Sequence, residues 1–139
     1  MNHDFINDFE QIDDNELDIY GETAQEREVG ITHLFDFITG YAARKLNFDA
    51  SQESDRAVVY MVIDCLAKEV ETDIAIGHIM NNIMLLGYYI SEDDIKKTLE
   101  QAEKLCIKEI LAYKIAIEDV YESYAHPADV IMKVHKLLE

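Results

Sequence analysis

Apolar residues recur along most of this chain with the three-to-four-residue step of an α-helix, and the positions between them are polar or charged. Ile31, Leu34, Phe35, Ile38, Tyr41, Ala42 and Leu46 form one such stripe, which predicts a helix over about 24–46. Just ahead of it, Thr23-Ala24-Gln25-Glu26 has the capping-box pattern, in which a hydroxyl and a carboxylate satisfy backbone donors at a helix start. The polar run from Asp49 to Ser54 predicts a loop with several N-cap residues. A second helix then follows over about 54–70, with Val58, Met61, Val62, Cys65 and Leu66 on its main face. Val59, Tyr60 and Ile63 make its first half apolar nearly all round, so its expected place is the centre of the fold. A third segment, about 74–89, is almost as apolar through Ile74, Ala75, His78, Ile79, Asn82, Ile83 and Leu86. Two such helices in succession suggest a buried hairpin.

Ser91-Glu92-Asp93-Asp94 repeats the capping pattern with Asp in the Glu position. From there the stripe Ile95, Leu99, Ala102, Cys106, Ile110, Tyr113, Ile117, Val120, Tyr124 runs on without Gly or Pro, predicting one helix over about 92–124. Its length would be roughly 45 Å at 1.5 Å per residue. His126-Pro127 ends it, because a residue before Pro is pushed out of the α region, and Pro127 suits the first position of a last helix carrying Val130, Ile131, Val134 and Leu138. At the other end, Phe5, Phe9 and Ile12 suggest a short amphipathic helix over 4–12, stopped by Asp13-Asp14-Asn15. The expected architecture is therefore all-α: a single-domain helical bundle of about five helices over 23–139, with one long helix and an acidic N-terminal arm over 1–22. A helix so much longer than its neighbours can run beside a symmetry mate, which makes a homodimer the expected assembly.

Composition agrees with this pattern. A chain of 139 residues fits one domain, large enough to bury roughly two thirds of its unfolded surface without staples. Hydrophobic residues make up 49% of it, too many for wholesale disorder. No basic start leads into an apolar run, and no apolar stretch reaches the roughly 18 to 20 residues that span a bilayer, so the expectation is a soluble, cytoplasmic protein. Cys65 and Cys106 fall on apolar faces, as buried free thiols would.

Charge changes the picture more than composition does. Twenty-nine acidic against twelve basic side chains leave a formal net charge of −17, and residues 1–30 supply −9 of it. Nucleic acids and anionic membranes need a positive surface, so the expected partner is a basic protein, with no direct nucleic acid and no membrane.

Candidate chemistry is sparse. A dinuclear carboxylate bundle needs Glu-x-x-His pairs, yet the residues three before His33, His78, His126 and His135 are Gly30, Ala75, Ser123 and Met132. No metal site and no cofactor is expected. Arg27 and His33 match the loose spacing of some helical ribonucleases, a resemblance of two residues set in a segment that would repel a nucleic-acid substrate. Glu100, Glu103, Glu118 and Glu122 have the wrong spacing for the paired-acid pattern of all-α nucleotide pyrophosphohydrolases and read as a charged helix face. His78 and Asn82, one turn apart in an apolar helix, mark either a satisfied polar pair or a buried ligand pocket.

What remains is acid interleaved with tyrosine. Asp13, Asp14, Glu16, Asp18 and Tyr20 in the arm, and Glu118, Asp119, Tyr121, Glu122 and Tyr124 near the end of the long helix, combine long-range steering with aromatic contact area. These ten are the expected partner-binding residues, with no catalytic ones. The small, acidic, helical, cofactor-free profile resembles that of immunity proteins for nuclease toxins and of phage antidefence proteins. It implies a non-enzymatic inhibitor that occludes a basic, nucleic-acid-binding or nuclease surface. The alternatives are a small helical enzyme or ligand sensor built around His78 and Asn82, and a structural assembly subunit.

Overall fold

A computed structural model describes residues 16–139, and among these every regular element is a helix. In chain order they are α1 (Ala24–Lys45), α2 (Glu53–Ala67), α3 (Thr72–Leu85), α4 (Glu92–Leu105), α5 (Ile107–Ile117), a π-helical turn (Glu118–Glu122) and α6 (Pro127–Leu138). The expected helix over 4–12, and Asp13 and Asp14, lie outside the described residues.

The helix starts follow the chemistry read from the sequence. Thr23 accepts from the Glu26 backbone at 3.2 Å while the Glu26 carboxylate accepts from the Thr23 backbone at 2.9 Å, completing the box ahead of α1. Ser91 caps α4 by accepting from Asp94 N–H at 3.2 Å. Pro127 opens α6 behind His126, whose Nδ1 accepts from Ala128 N–H at 3.1 Å. The ends of α1 and α2 are less conventional. Asn47 and Glu69 adopt φ of +59° and +56°, each allowing the next residue to close a bond back onto the last turn.

Packing places α2 at the centre, touching α1, α3, α4 and α5. Its Val58, Val59, Val62, Ile63 and Cys65 are buried together with Leu34, Phe35, Ile38 and Ala42 of α1 and Ile95, Leu99, Ala102 and Tyr113 downstream. Both thiols are buried and free, and burial, reinforced by the Glu109 charge, raises Cys106 to about 11. Glu109 is itself fully buried and paired with Lys45 at 3.0 Å. No described helix is long and apolar enough to cross a membrane.

Two expectations are corrected. The single helix over 92–124 is divided: Cys106 leaves the α region (φ −109°, ψ 34°), and the stretch beyond Ile117 widens into the π turn. The two α-helical pieces serve different neighbours, since α4 packs on α2 and α3 whereas α5 packs on α1, α2 and α6. One straight rod cannot satisfy both sets of contacts, so tertiary packing overrides an uninterrupted local pattern. Both pieces contact other helices of the chain's own bundle, and Leu105, Ile107 and Leu111 between and along them stay exposed.

The other correction concerns α3. It packs mainly on α2 and α4 and buries only Ala75, Ile79 and Ile83, so it flanks the bundle instead of completing a buried hairpin. Ile74, Met84, Leu85 and Leu86 are exposed, as is His78. His78 is at the surface rather than buried: Asn82 Nδ2 donates to its carbonyl at 2.7 Å and lies 3.3 Å from its ring.

Candidate functional site

The turn before α1 and the π turn after α5 are about a hundred residues apart in sequence and meet in space. Asp18 organises the first. Its Oδ1 accepts from Tyr20 N–H at 2.8 Å and Glu22 N–H at 2.9 Å, closing a turn in which Gly21 takes φ +76°. The Glu22 bond is the chief reason Asp18 titrates below the ordinary carboxylate value of 3.8, and Arg27 and His126 push the same way against partial desolvation.

That turn is fastened at three points. Tyr20 Oη donates to the Tyr124 carbonyl at 2.7 Å, and its ring lies 6.2 Å from the Tyr124 ring, nearly parallel. His126 and Tyr20 meet in a T-shaped arrangement at 5.0 Å between centroids. His126 Nε2 stands 3.1 Å from Glu22 Oε1. Because His126 Nδ1 is an acceptor for Ala128 N–H, Nε2 carries the proton in the neutral ring, and it approaches Glu22 without forming a directed hydrogen bond.

Arg27 holds the π turn from the α1 side. A π turn widens the hydrogen-bond ladder by one residue, here with Ser123 N–H donating to the Glu118 carbonyl at 3.0 Å, and Tyr124 leaves the helix at φ +53°. Nearby carbonyls then need other donors. The Arg27 guanidinium supplies them, donating to Val120 O at 3.1 Å and Ala125 O at 3.3 Å while lying 3.9 Å above the Tyr124 ring. It is a C-terminal cap delivered from a distant helix, with its charge at the negative end of the helix dipole.

Between these elements lies a cavity of about 690 Å³. Among the described residues its carboxylates are Glu16, Asp18, Glu22, Glu28 and Asp36, and its one basic residue, Arg27, is already engaged and only 8% exposed. Apolar walls come from Leu17, Ile31 and Phe35 and from Tyr60, Tyr121 and Tyr124. Tyr121, 64% exposed, lies nearly parallel to Phe35 at 6.5 Å, and Phe35 packs at 4.8 Å against Tyr113 below. Tyr113 is anchored in turn by donating to Asp64 Oδ1 at 2.7 Å. The aromatic wall therefore continues into the core, which fixes its orientation.

Of the expected partner-binding residues, Glu16, Asp18, Tyr121 and Tyr124 line this cavity, and Tyr20 stands beside it against Tyr124. Glu118, Asp119 and Glu122 do not line it; Asp119 is paired with Lys133 at 2.9 Å. The cavity also uses Glu28, Asp36, Phe35 and Tyr60, which sequence reasoning passed over. Glu28 and Asp36 flank the α1 core stripe at helical spacing, so each reads alone as an ordinary solvated acid; only the arrival of the 16–22 turn makes them walls. Arg27 and His33 do not form a nuclease pair, since Arg27 is committed to two carbonyls and His33 is exposed. No cluster of potential metal ligands occurs among the described residues.

Comparison with known proteins finds no family model, no curated protein and no solved structure that matches this chain.

Proposed function

We propose that this chain is a non-enzymatic acidic binding protein that occupies a basic surface of a partner protein, in the manner of an inhibitor that covers a nucleic-acid-binding or nuclease site. One observation carries the reading: the 16–22 turn and the π turn converge on a cavity lined, among the described residues, by five carboxylates and one already engaged guanidinium, between tyrosine walls. Acids of one sign around a concave, partly apolar surface raise the local concentration of a cationic ligand and favour its capture. The net charge of −17 extends that attraction beyond the contact area. An immunity or antidefence role is the finer form of the same proposal.

The test begins with capture of the partner from the native source on the immobilised chain at low salt. The expected partner contacts the chain through a surface rich in Lys and Arg, and its retention falls steeply between about 0.05 and 0.5 M salt as screening removes steering. An acidic or apolar partner held equally well across that range overturns the proposal. The enzyme or ligand-sensor alternative would have to use His78 from the surface rather than from a buried pocket.

A further inference from the structure

We infer that the cavity is a subsite for one projecting arginine side chain of the partner, rather than a diffuse patch of negative charge. The inference rests on the proposed capture of a basic protein and names the group that protein presents. Three features support it.

The first is a precedent inside the site. Arg27 already shows how this wall receives a guanidinium: over the Tyr124 ring at 3.9 Å, with N–H groups donating to carbonyl oxygens at 3.1 and 3.3 Å. Tyr121, in the same cavity, offers a second ring that is 64% exposed and, among the described residues, has no cation over it. Its near-parallel packing at 6.5 Å on the buried Phe35 holds it in place, so an incoming plane meets a pre-set surface.

The second is the acceptor set. Glu28 and Asp36 line the same cavity, are exposed, and make no ion pair or side-chain hydrogen bond with the described residues. Asp18, held ionised by its backbone bonds, has a second oxygen, Oδ2, that is buried and accepts no hydrogen bond. Asp18 therefore adds charge to the cavity wall, while Glu28 and Asp36 supply the open acceptors.

The third is selectivity between cations. A guanidinium is planar, weakly hydrated and forked, so it can stack on Tyr121 while donating to a carboxylate. An ammonium can use the field but gains less from the ring and cannot fork. A polyamine shares the charge but lacks the plane.

The experiment titrates the ¹⁵N- and ¹³C-labelled full chain with acetyl-arginine methylamide, acetyl-lysine methylamide or spermidine and follows the Tyr121 ring and the Glu28 and Asp36 amides. The arginine probe is expected to give saturable shifts there, with a Kd in the range of about 1 mM that suits a single side chain. It should bind about threefold or more tighter than the lysine probe and spermidine. Tyr121→Leu should erase that preference, and Asp36→Asn with Glu28→Gln should weaken all three probes. Unchanged circular dichroism shows that each variant remains folded. Equal affinity for all three cations, or shifts that neither saturate nor involve Tyr121, overturns the arginine subsite. Failure here together with a basic, salt-sensitive partner leaves the broader reading standing; a partner lacking a basic contact surface removes that reading whatever free arginine does.

Discussion

At the scale of single residues, Arg27 and Asp18 have the most to do with whether the cavity exists. Arg27 is the lone basic residue among the first thirty, and sequence alone makes it a surface charge or half of a catalytic pair. In the fold it caps the π turn, and removing it strands two carbonyls. Arg27→Met, which retains the apolar stem, should lower stability by about 2 to 4 kcal/mol, because charged hydrogen bonds are lost and their acceptors left unpaired. Urea unfolding measures this, and a loss below about 0.5 kcal/mol would show that the clamp is dispensable. Asp18 acts through its ionised form. Its folded pKa lies below 3.8, so the turn's stabilisation is fully present above that value and lost as pH falls through the lower folded value. Amide protection of Glu22, corrected for intrinsic exchange, should therefore drop below about pH 4 in the parent chain. In Asp18→Asn it should be weaker and flat with pH. The role of Asp18 was only half legible beforehand: its acidity marked it as a steering charge, whereas its turn-forming bonds depend on where Tyr20 and Glu22 dock.

Among elements, helix starts were far more readable than helix ends. Thr23, Ser91 and Pro127 announce α1, α4 and α6 through local chemistry that needs no distant partner. The end of α2 is hidden, because the residue in the left-handed conformation there is Glu69 at φ +56° rather than Gly. Apolar Val70 makes the pattern run on to 70, while the helix stops at Ala67. Glu69→Gly should accordingly raise stability by about 0.5 to 1 kcal/mol, since an L side chain in that conformation is strained. A decrease in urea midpoint would contradict this assignment of strain. The division of the 92–124 stretch was not legible at all. Leu105-Cys106-Ile107 contains no breaker, and only the competing demands of α2 and α3 on one side and α1 and α6 on the other interrupt it. The same holds for the π turn, which is sustained by an arginine from another helix.

For the whole molecule, the two acidic and aromatic segments singled out in the sequence are far apart in the chain, and the fold brings part of each to one cavity. Glu16, Asp18, Tyr121 and Tyr124 assemble there with Tyr20 beside them, whereas Glu118, Asp119 and Glu122 fall outside its walls because the π turn re-aims the end of the helix. Overall charge could attract a basic partner without any such geometry, and the two contributions separate when the same charge is changed in different places. The deciding measurement is the affinity of the captured partner for three forms of the chain across a salt series: the parent, Glu28→Lys with Asp36→Lys in the cavity, and Glu100→Lys with Glu103→Lys on α4. Both double variants alter net charge equally. Binding through the cavity predicts a loss of about tenfold or more and a shallower salt dependence for the first pair, with a change of no more than about threefold for the second, attributable to steering. Equal losses for the two pairs, or a larger loss on α4, would contradict a binding site at the cavity.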